Sequence, residues 1–302
     1  MKTKIFSILL AVVLYIPVNS RADDFAVFDT LWNHIYRNFD LLPEYHLEAD
    51  IFTFFFHKND HFKQWYFLEA NTIPSFSLFS FRDRLYFIWE FDFQFGMGQT
   101  PGNIVFDPMD INFGITPILE LRFPLYRFQA GLEHKCFHEI DRKEFETVYW
   151  NKLILAAGSS NLRQYDFWKS LAQDNWEFSD RFSWYVRGGY YLKEFFGLVQ
   201  SSKLNGQNDR IYDISTDFRY AFYKRRSWNL NGRIKGLLGH GKGNRDLYLF
   251  WRYDFCLESS HRKGERGGML FLQYTLDKLP LYQGVPRFSK DRLLQVGIRL
   301  FY

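Results

Sequence analysis

The sequence has little of what marks helical membrane proteins or nucleic-acid-binding proteins. Beyond residue 22, no stretch approaches 18 uncharged apolar residues, which excludes a further transmembrane helix. Charge of one sign is also scarce, since 38 basic residues stand against 34 acidic ones. Three of the basic residues lie within the first 22 positions, so 35 against 34 leaves a net charge of about +1 for the remainder. We therefore expect no nucleic-acid partner.

The first 22 residues have the pattern of a secretory signal peptide. Two lysines precede an apolar run at 5–16, and the small residues Ser20 and Ala22 follow it. This order predicts cleavage after Ala22. A membrane anchor is the alternative, although the run is short for a spanning helix. Because no repeat, low-complexity tract or linker divides the rest, we expect a signal peptide at 1–22 and one domain at 23–302.

Aromatic and charged residues are both abundant. Aromatic residues are 21% of the chain, with 35 Phe, 19 Tyr and 9 Trp, and charged residues are 24%. Strands that alternate an aromatic with a charged side chain would combine the two. A membrane β-barrel requires such strands, because one face of its wall meets hydrocarbon while the other faces a polar lumen.

The expected alternation is visible along the chain. At 84–98, every second residue from Leu85 to Met97 is apolar, and Glu90 and Asp92 lie between them. A soluble β-sandwich also alternates. Five or more large apolar residues per strand, with little else in the chain to bury them, favour lipid. The same period recurs at 211–222, 228–238 and 246–257.

These patterns predict an all-β fold, a transmembrane antiparallel up-and-down barrel of about twelve strands. An even number is expected for a bacterial barrel. With both termini in the periplasm, the connection at 159–179 is an unusually long periplasmic one. The strands are expected at roughly 44–57, 62–80, 84–98, 110–123, 126–138, 145–158, 180–193, 209–222, 226–239, 244–257, 266–276 and 289–302.

The predicted strands also place the two cysteines. Cys136 falls near the outer end of an outward strand, and Cys256 falls near the inner end of an inward one. A separation of about 25 Å, the height of the apolar band, follows. No disulfide spans that distance, so Cys136 is expected to be a free thiol.

The C-terminal strand carries a more specific signal. Apolar residues occupy every second position from Leu294 to Tyr302, and Gln295 and Arg299 lie between them. A final strand that ends on an aromatic residue resembles the recognition signal of bacterial outer-membrane barrels. Together with the signal peptide, the resemblance implies the outer membrane of a Gram-negative bacterium. It also implies outer-membrane lipids and the barrel-assembly machinery as partners.

The segment at 131–139, GLEHKCFHE, places unexpected side chains toward lipid. With a strand period, His134 and Cys136 lie on the exterior face, while Glu133 and Lys135 face the lumen. A histidine and a thiol are unusual among the large apolar residues of a lipid-facing surface. One interpretation is that Cys136 is simply a small apolar side chain at this position. The other is that His134 and Cys136 form a site on the outside of the barrel.

The next strand supplies a third polar group. With Lys152 facing the lumen, Asn151 faces outward and lies beside His134 if a short turn pairs the two strands. A histidine near a thiol can take its proton, and an amide can orient the imidazole. His134, Cys136 and Asn151 are therefore the candidate catalytic residues.

The motifs around these residues resemble those of the outer-membrane phospholipase A family, a twelve-stranded barrel of similar length. His134-Lys135-Cys136 stands at the family's His-x-Ser, and Trp150-Asn151-Lys152-Leu153 at its Trp-Asn-(Arg/Lys)-Leu. Here Cys replaces Ser, and Asn151 follows His134 by 17 residues. The resemblance implies a hydrolase of phospholipid or lipid A acyl esters at the outer leaflet, with calcium as cofactor and a homodimer as assembly.

Two other functions stay open. His134, Cys136 and His138 are suitable metal ligands, but the two histidines lie about 13 Å apart on an extended strand at ~3.3 Å per residue. Glu139 and Asp141 could supply oxygen ligands for calcium. A non-enzymatic barrel, acting as a narrow channel or a structural or interaction protein, is the other alternative. The predicted inward side chains mix acids and bases, which favours a narrow or closed lumen over a general porin.

Overall fold

The structure is a computed structural model, and it describes most of the predicted barrel. The predicted signal peptide at 1–22 lies outside the described residues, so it stays a prediction. The described residues are 39–56, 67–99, 105–139, 147–162, 178–192, 194–195, 198–199, 209–225, 227–242, 246–263, 266–278 and 292–302.

Twelve strands close into one antiparallel barrel, in which each strand pairs with the preceding and following barrel strands and the last strand pairs with the first. The prediction of a twelve-stranded up-and-down barrel is confirmed. In the part of the chain that the structure describes, no helix has the length and apolar character to cross a bilayer. The barrel strands are β1 (Phe39–Phe56), β2 (Leu68–Phe81), β3 (Leu85–Gln99), β4 (Val105–Arg122), β5 (Tyr126–Glu139), β6 (Thr147–Ser159), β7 (Phe182–Leu192), β10 (Asp209–Arg225), β11 (Trp228–Lys242), β12 (Leu247–Lys263), β13 (Arg266–Lys278) and β14 (Arg292–Phe301). A separate hairpin and one short helix complete the description: β8 (Glu194–Phe195), β9 (Leu198–Val199) and α1 (Phe178–Arg181).

The alternation divides the wall into an apolar exterior and a polar interior. In β14, Leu294, Val296, Ile298 and Leu300 are exposed, whereas Gln295 and Arg299, which alternate with them, are buried. In a soluble sandwich the apolar face would be the buried one. Here the apolar face is the outer one, and an even-stranded barrel with such an exterior is the architecture of bacterial outer-membrane proteins. The fold therefore agrees with the predicted outer-membrane location.

The C-terminus and the shortest turns share one end of the barrel. Tyr302 exchanges two backbone hydrogen bonds with Leu47, at 3.0 and 2.9 Å, beside the seam between β14 and β1. Arg82 and Asp83 adopt φ values of 52° and 50°, which lets the chain reverse between β2 and β3. Short turns are periplasmic in bacterial barrels. The end of β5 and the start of β6 lie at the opposite, extracellular end.

Ion pairs cross the interior and narrow it. Glu258 of β12 accepts hydrogen bonds from Arg219 and Arg233, at 3.1 and 3.3 Å. Arg299 donates to Asp50 across the β14–β1 seam at 2.5 Å, and its Nη1 lies 3.5 Å from Glu258. A cavity of about 400 Å³ remains beside these three arginines. Among the described residues, paired charges thus border a small space that polar and apolar side chains line together.

Both cysteines are free thiols, as predicted. Cys136 lies on the exterior face of β5. Cys256 lies on the interior face of β12, where its Sγ donates a hydrogen bond to Gln273 Oε1 at 3.2 Å. The two thiols therefore occupy opposite faces of the barrel wall.

Candidate active site

The exterior face of β5 runs from large apolar residues to His134 and Cys136. Tyr126 and Phe128 are exposed, whereas Arg127 between them is buried. Because successive side chains point to opposite faces of a strand, His134 and Cys136 continue the lipid-facing row. The structure therefore places both residues on the outer surface, near the extracellular end of β5.

Asn151 of β6 lies on the same outer surface. Leu153 and Leu155, two and four residues further along β6, are 43% and 63% exposed. The β5–β6 ladder makes His134 and Asn151 direct cross-strand partners, with Leu132 opposite Leu153. Side chains of directly opposed residues are the closest pairs that a sheet offers.

The three candidate residues form a continuous chain of polar contacts. His134 Nδ1 lies 2.8 Å from Asn151 Oδ1. His134 Nε2 lies 3.0 Å from Cys136 Sγ. Both ring nitrogens are thus engaged, one by the amide and the other by the thiol.

The Asn151 amide determines which nitrogen of the His134 imidazole carries the proton. Asn151 Oδ1 can only accept a hydrogen bond, so Nδ1 of the neutral ring carries the proton and donates it. Nε2 is then left with a lone pair that can accept the thiol proton. This arrangement prepares His134 as a general base for Cys136.

The site is covered although it belongs to the outer face. Asn151 is 1% exposed and Cys136 is 7% exposed, in contrast to the exposed leucines of β6. Asn151 Nδ2 is buried without a hydrogen-bond partner among the described residues. A buried donor without a partner carries a desolvation cost.

Apolar residues border the thiol on its other side. β4 pairs with β5 so that Phe113 lies opposite Cys136 and Ile115 lies opposite His134. Both β4 residues have the exterior parity of their partners. The polar contacts are therefore bounded on the β4 side by side chains that suit an acyl chain.

An ion-pair cluster lies on the inner face, directly behind the site. Lys152 Nζ lies 3.0 Å from Glu133 and 3.1 Å from Asp213. Arg187 also donates to Glu133, and the Tyr191 hydroxyl donates to Asp213 at 2.6 Å. Because Glu133 and Lys152 are cross-strand partners next to the His134–Asn151 pair, this inner cluster joins the same two strands that carry the site.

Sequence periodicity predicts that these charges face inward, but it does not predict which of them pair. Glu133 and Lys152 lie opposite each other only once the turn between β5 and β6 is known. Asp213 and Arg187 belong to β10 and β7, which are distant in sequence. A search for opposite charges at lumen-facing positions of adjacent predicted strands could have found the first pair.

The metal alternative finds no support in the described part of the chain. There, no three His, Cys, Asp or Glu side chains come close enough to hold an ion. The side chains of His138 and Glu139, and all of Asp141, lie outside the description. Calcium therefore stays a prediction of the resemblance.

No protein-family model and no curated protein matches this sequence. Several solved structures are similar in fold. Outer membrane phospholipase A from Escherichia coli is 11% identical, with 86% of this chain and 98% of that chain covered and a TM-score of 0.48. The KdgM porin is 7% identical, with 83% and 97% covered and a TM-score of 0.42. LpxR from Salmonella typhimurium is 10% identical, with 85% and 100% covered and a TM-score of 0.38. Likeness of this size concerns the shape of the barrel and says nothing about the chemistry at Cys136.

Proposed function

We propose that the protein is a lipid acyl hydrolase that acts at the outer leaflet. Cys136 is the nucleophile, His134 is the general base, and Asn151 orients the imidazole. The observation that carries the proposal is the chain of contacts from Cys136 Sγ through the His134 ring to Asn151 Oδ1, at 3.0 and 2.8 Å. These distances are within the reach required for proton transfer.

The reaction has two halves. As Sγ attacks the carbonyl carbon of an acyl ester, His134 Nε2 takes the thiol proton and then donates it to the leaving alcohol oxygen. The acyl group remains on Cys136 as a thioester. Water then attacks the thioester while His134 takes its proton, and the fatty acid leaves as the thiol is restored. Asn151 accepts from Nδ1 throughout and holds the ring in place.

The position of the site selects lipid esters as substrates. The site lies on the face of the barrel that meets hydrocarbon, and Phe113 and Ile115 border it on β4.

The test compares the two cysteines of the chain. In mixed micelles of phospholipid or lipid A, with and without calcium, Cys136→Ala is expected to lower fatty acid release on the order of 10³-fold or more. Cys256→Ala, which removes the lumen-facing thiol, is the matched control and should keep the activity. Migration of unheated barrels in detergent gels checks the fold of both variants. A wild-type barrel that releases no fatty acid under any of these conditions would sink the proposal.

A narrow channel is the second candidate. The observation that favours it is the cavity of about 400 Å³ beside the buried arginines. Because this cavity lies inside the wall and the Cys136 site lies outside it, the two functions do not exclude each other. The homodimer and the barrel-assembly machinery stay predictions of the resemblances.

A further inference from the structure

The choice of nucleophile has a consequence for the second half of the reaction, provided that the proposed function holds. A serine would carry its acyl group as an oxyester, but Cys136 carries it as a thioester. A thioester carbonyl is less stabilised by resonance than an ester carbonyl, and it reacts readily with amines. The identity of the nucleophile therefore bears on what accepts the acyl group.

Water is scarce where the thioester would form. Cys136 is 7% exposed and Asn151 is 1% exposed, and both lie on the face that meets hydrocarbon. Phe113 and Ile115 extend the apolar surface on β4. Exclusion of water protects a reactive acyl intermediate from hydrolysis, which leaves time for another nucleophile to reach it.

Lipid headgroups are the nearest source of such a nucleophile. Cys136 lies three residues before Glu139, the extracellular end of β5, which is about 10 Å at ~3.3 Å per residue. A lipid that diffuses along the barrel wall brings its headgroup to this end of the strand. Among the nucleophilic groups of lipid headgroups, a primary amine competes best with water for reaction with a thioester.

We propose that the protein transfers the acyl group to a primary amine on a lipid headgroup, in preference to water. The headgroup ammonium first loses a proton to solvent, and the neutral amine nitrogen attacks the thioester carbonyl. The C–N bond forms and the C–S bond breaks. His134 Nε2 takes one proton from the attacking nitrogen and returns it to the departing thiolate. The products are an N-acylated lipid and the free thiol of Cys136, and no oxidant or reductant takes part.

The experiment offers both acceptors at once. Vesicles contain the wild-type barrel, phosphatidylcholine with isotopically labelled acyl chains as the donor, and phosphatidylethanolamine as the amine. Mass spectrometry compares the labelled N-acyl lipid with the labelled free fatty acid. We expect the N-acyl lipid to exceed the fatty acid. Replacing the acceptor by its N,N-dimethyl form should remove the amide product, because a tertiary amine cannot form a stable amide.

The remaining outcomes separate this inference from the proposed function. Labelled fatty acid without any N-acyl lipid would overturn the transfer and leave the hydrolase. Neither product, and no acyl group on Cys136, would overturn both. Cys136→Ser provides an internal comparison, since its oxyester should lower the ratio of N-acyl lipid to fatty acid on the order of tenfold. An unchanged ratio would show that the thioester does not decide the acceptor.

Discussion

His134 and Asn151 are direct partners in the β5–β6 ladder, and 2.8 Å separates the ring Nδ1 from the amide Oδ1. This contact exists only in one register, because a slip of one residue would turn Asn151 to the lumen and Lys152 to lipid. The charges that pair on the inside of the wall join the same two strands, so we expect them to support the site on the outside.

Asn151→Ala is expected to lower the rate of acyl-enzyme formation on the order of 10²-fold. The alanine leaves His134 Nδ1 without its acceptor, so the ring loses its orientation toward Cys136. The rate of labelling of Cys136 by an ester substrate measures the effect. Asn229→Ala is the matched control, because Asn229 is a buried lumen-facing amide that accepts from Ser260 at 2.8 Å. Equal losses in the two variants would show that Asn151 acts only on folding.

Lys152→Met is expected to destabilise the barrel by about 3 kcal/mol, because it leaves the buried carboxylate of Asp213 without its ammonium partner. The urea midpoint of the folded barrel in lipid vesicles measures this change. Adding Asp213→Asn should recover part of the loss. The control is Lys135→Met, since Lys135 is 33% exposed in its pair with Asp92 and contributes about 1 kcal/mol at most. A Lys152 effect no larger than the Lys135 effect would contradict the locking role.

The strands were predictable because their periodicity is read directly from the sequence. The alternation of β14 is uninterrupted, so its predicted start at 289 lies close to Arg292, where the described strand begins. β1 was expected from 44 but begins at Phe39. The register shifts between Leu41 and Glu44, and Leu42 has a φ of 50°. An irregularity of this kind breaks the period of two. The alternation therefore does not predict that the residues before it belong to β1.

The site was predictable in part for the same reason. Strand parity assigns His134, Cys136 and Asn151 to one face, and the pairing of β5 with β6 brings them together. The near-complete burial of Asn151 and its orphaned Nδ2 were not predictable, because both depend on how neighbouring strands pack. The contact of Lys152 with Asp213 was not predictable either, since the two residues are 61 positions apart in sequence.

The lumen is expected to conduct little current in planar bilayers, because paired charges occupy it. Glu258→Gln should raise the conductance and shift selectivity toward anions, since Glu258 lies within 3.5 Å of groups on Arg219, Arg233 and Arg299. Arg299→Gln is the control of opposite sign and should shift selectivity toward cations. Large, stable currents through the wild-type barrel would show that these pairs do not close the pore.

Two adjacent glycines of β7 provide the last prediction. Gly189 faces the lumen, and a Cβ there would lie 2.4 Å from Lys152 Cδ and 2.5 Å from Asp213 Oδ1. Gly188 faces outward, and among the described residues a Cβ there would meet only the Leu155 carbonyl oxygen, at 3.9 Å. The missing side chain at Gly189 thus gives Lys152 the space to reach across β7 to Asp213 on β10.

Gly189→Ala should therefore destabilise the barrel by about 1–3 kcal/mol, because the added methyl group overpacks the cluster. It should also slow acyl-enzyme formation at Cys136, since the pair that locks the β5–β6 register is displaced. Gly188→Ala should change neither quantity measurably. Urea unfolding in vesicles and labelling of Cys136 measure the two effects. If Gly189→Ala is tolerated as well as Gly188→Ala, the inner cluster does not hold the outer site in place.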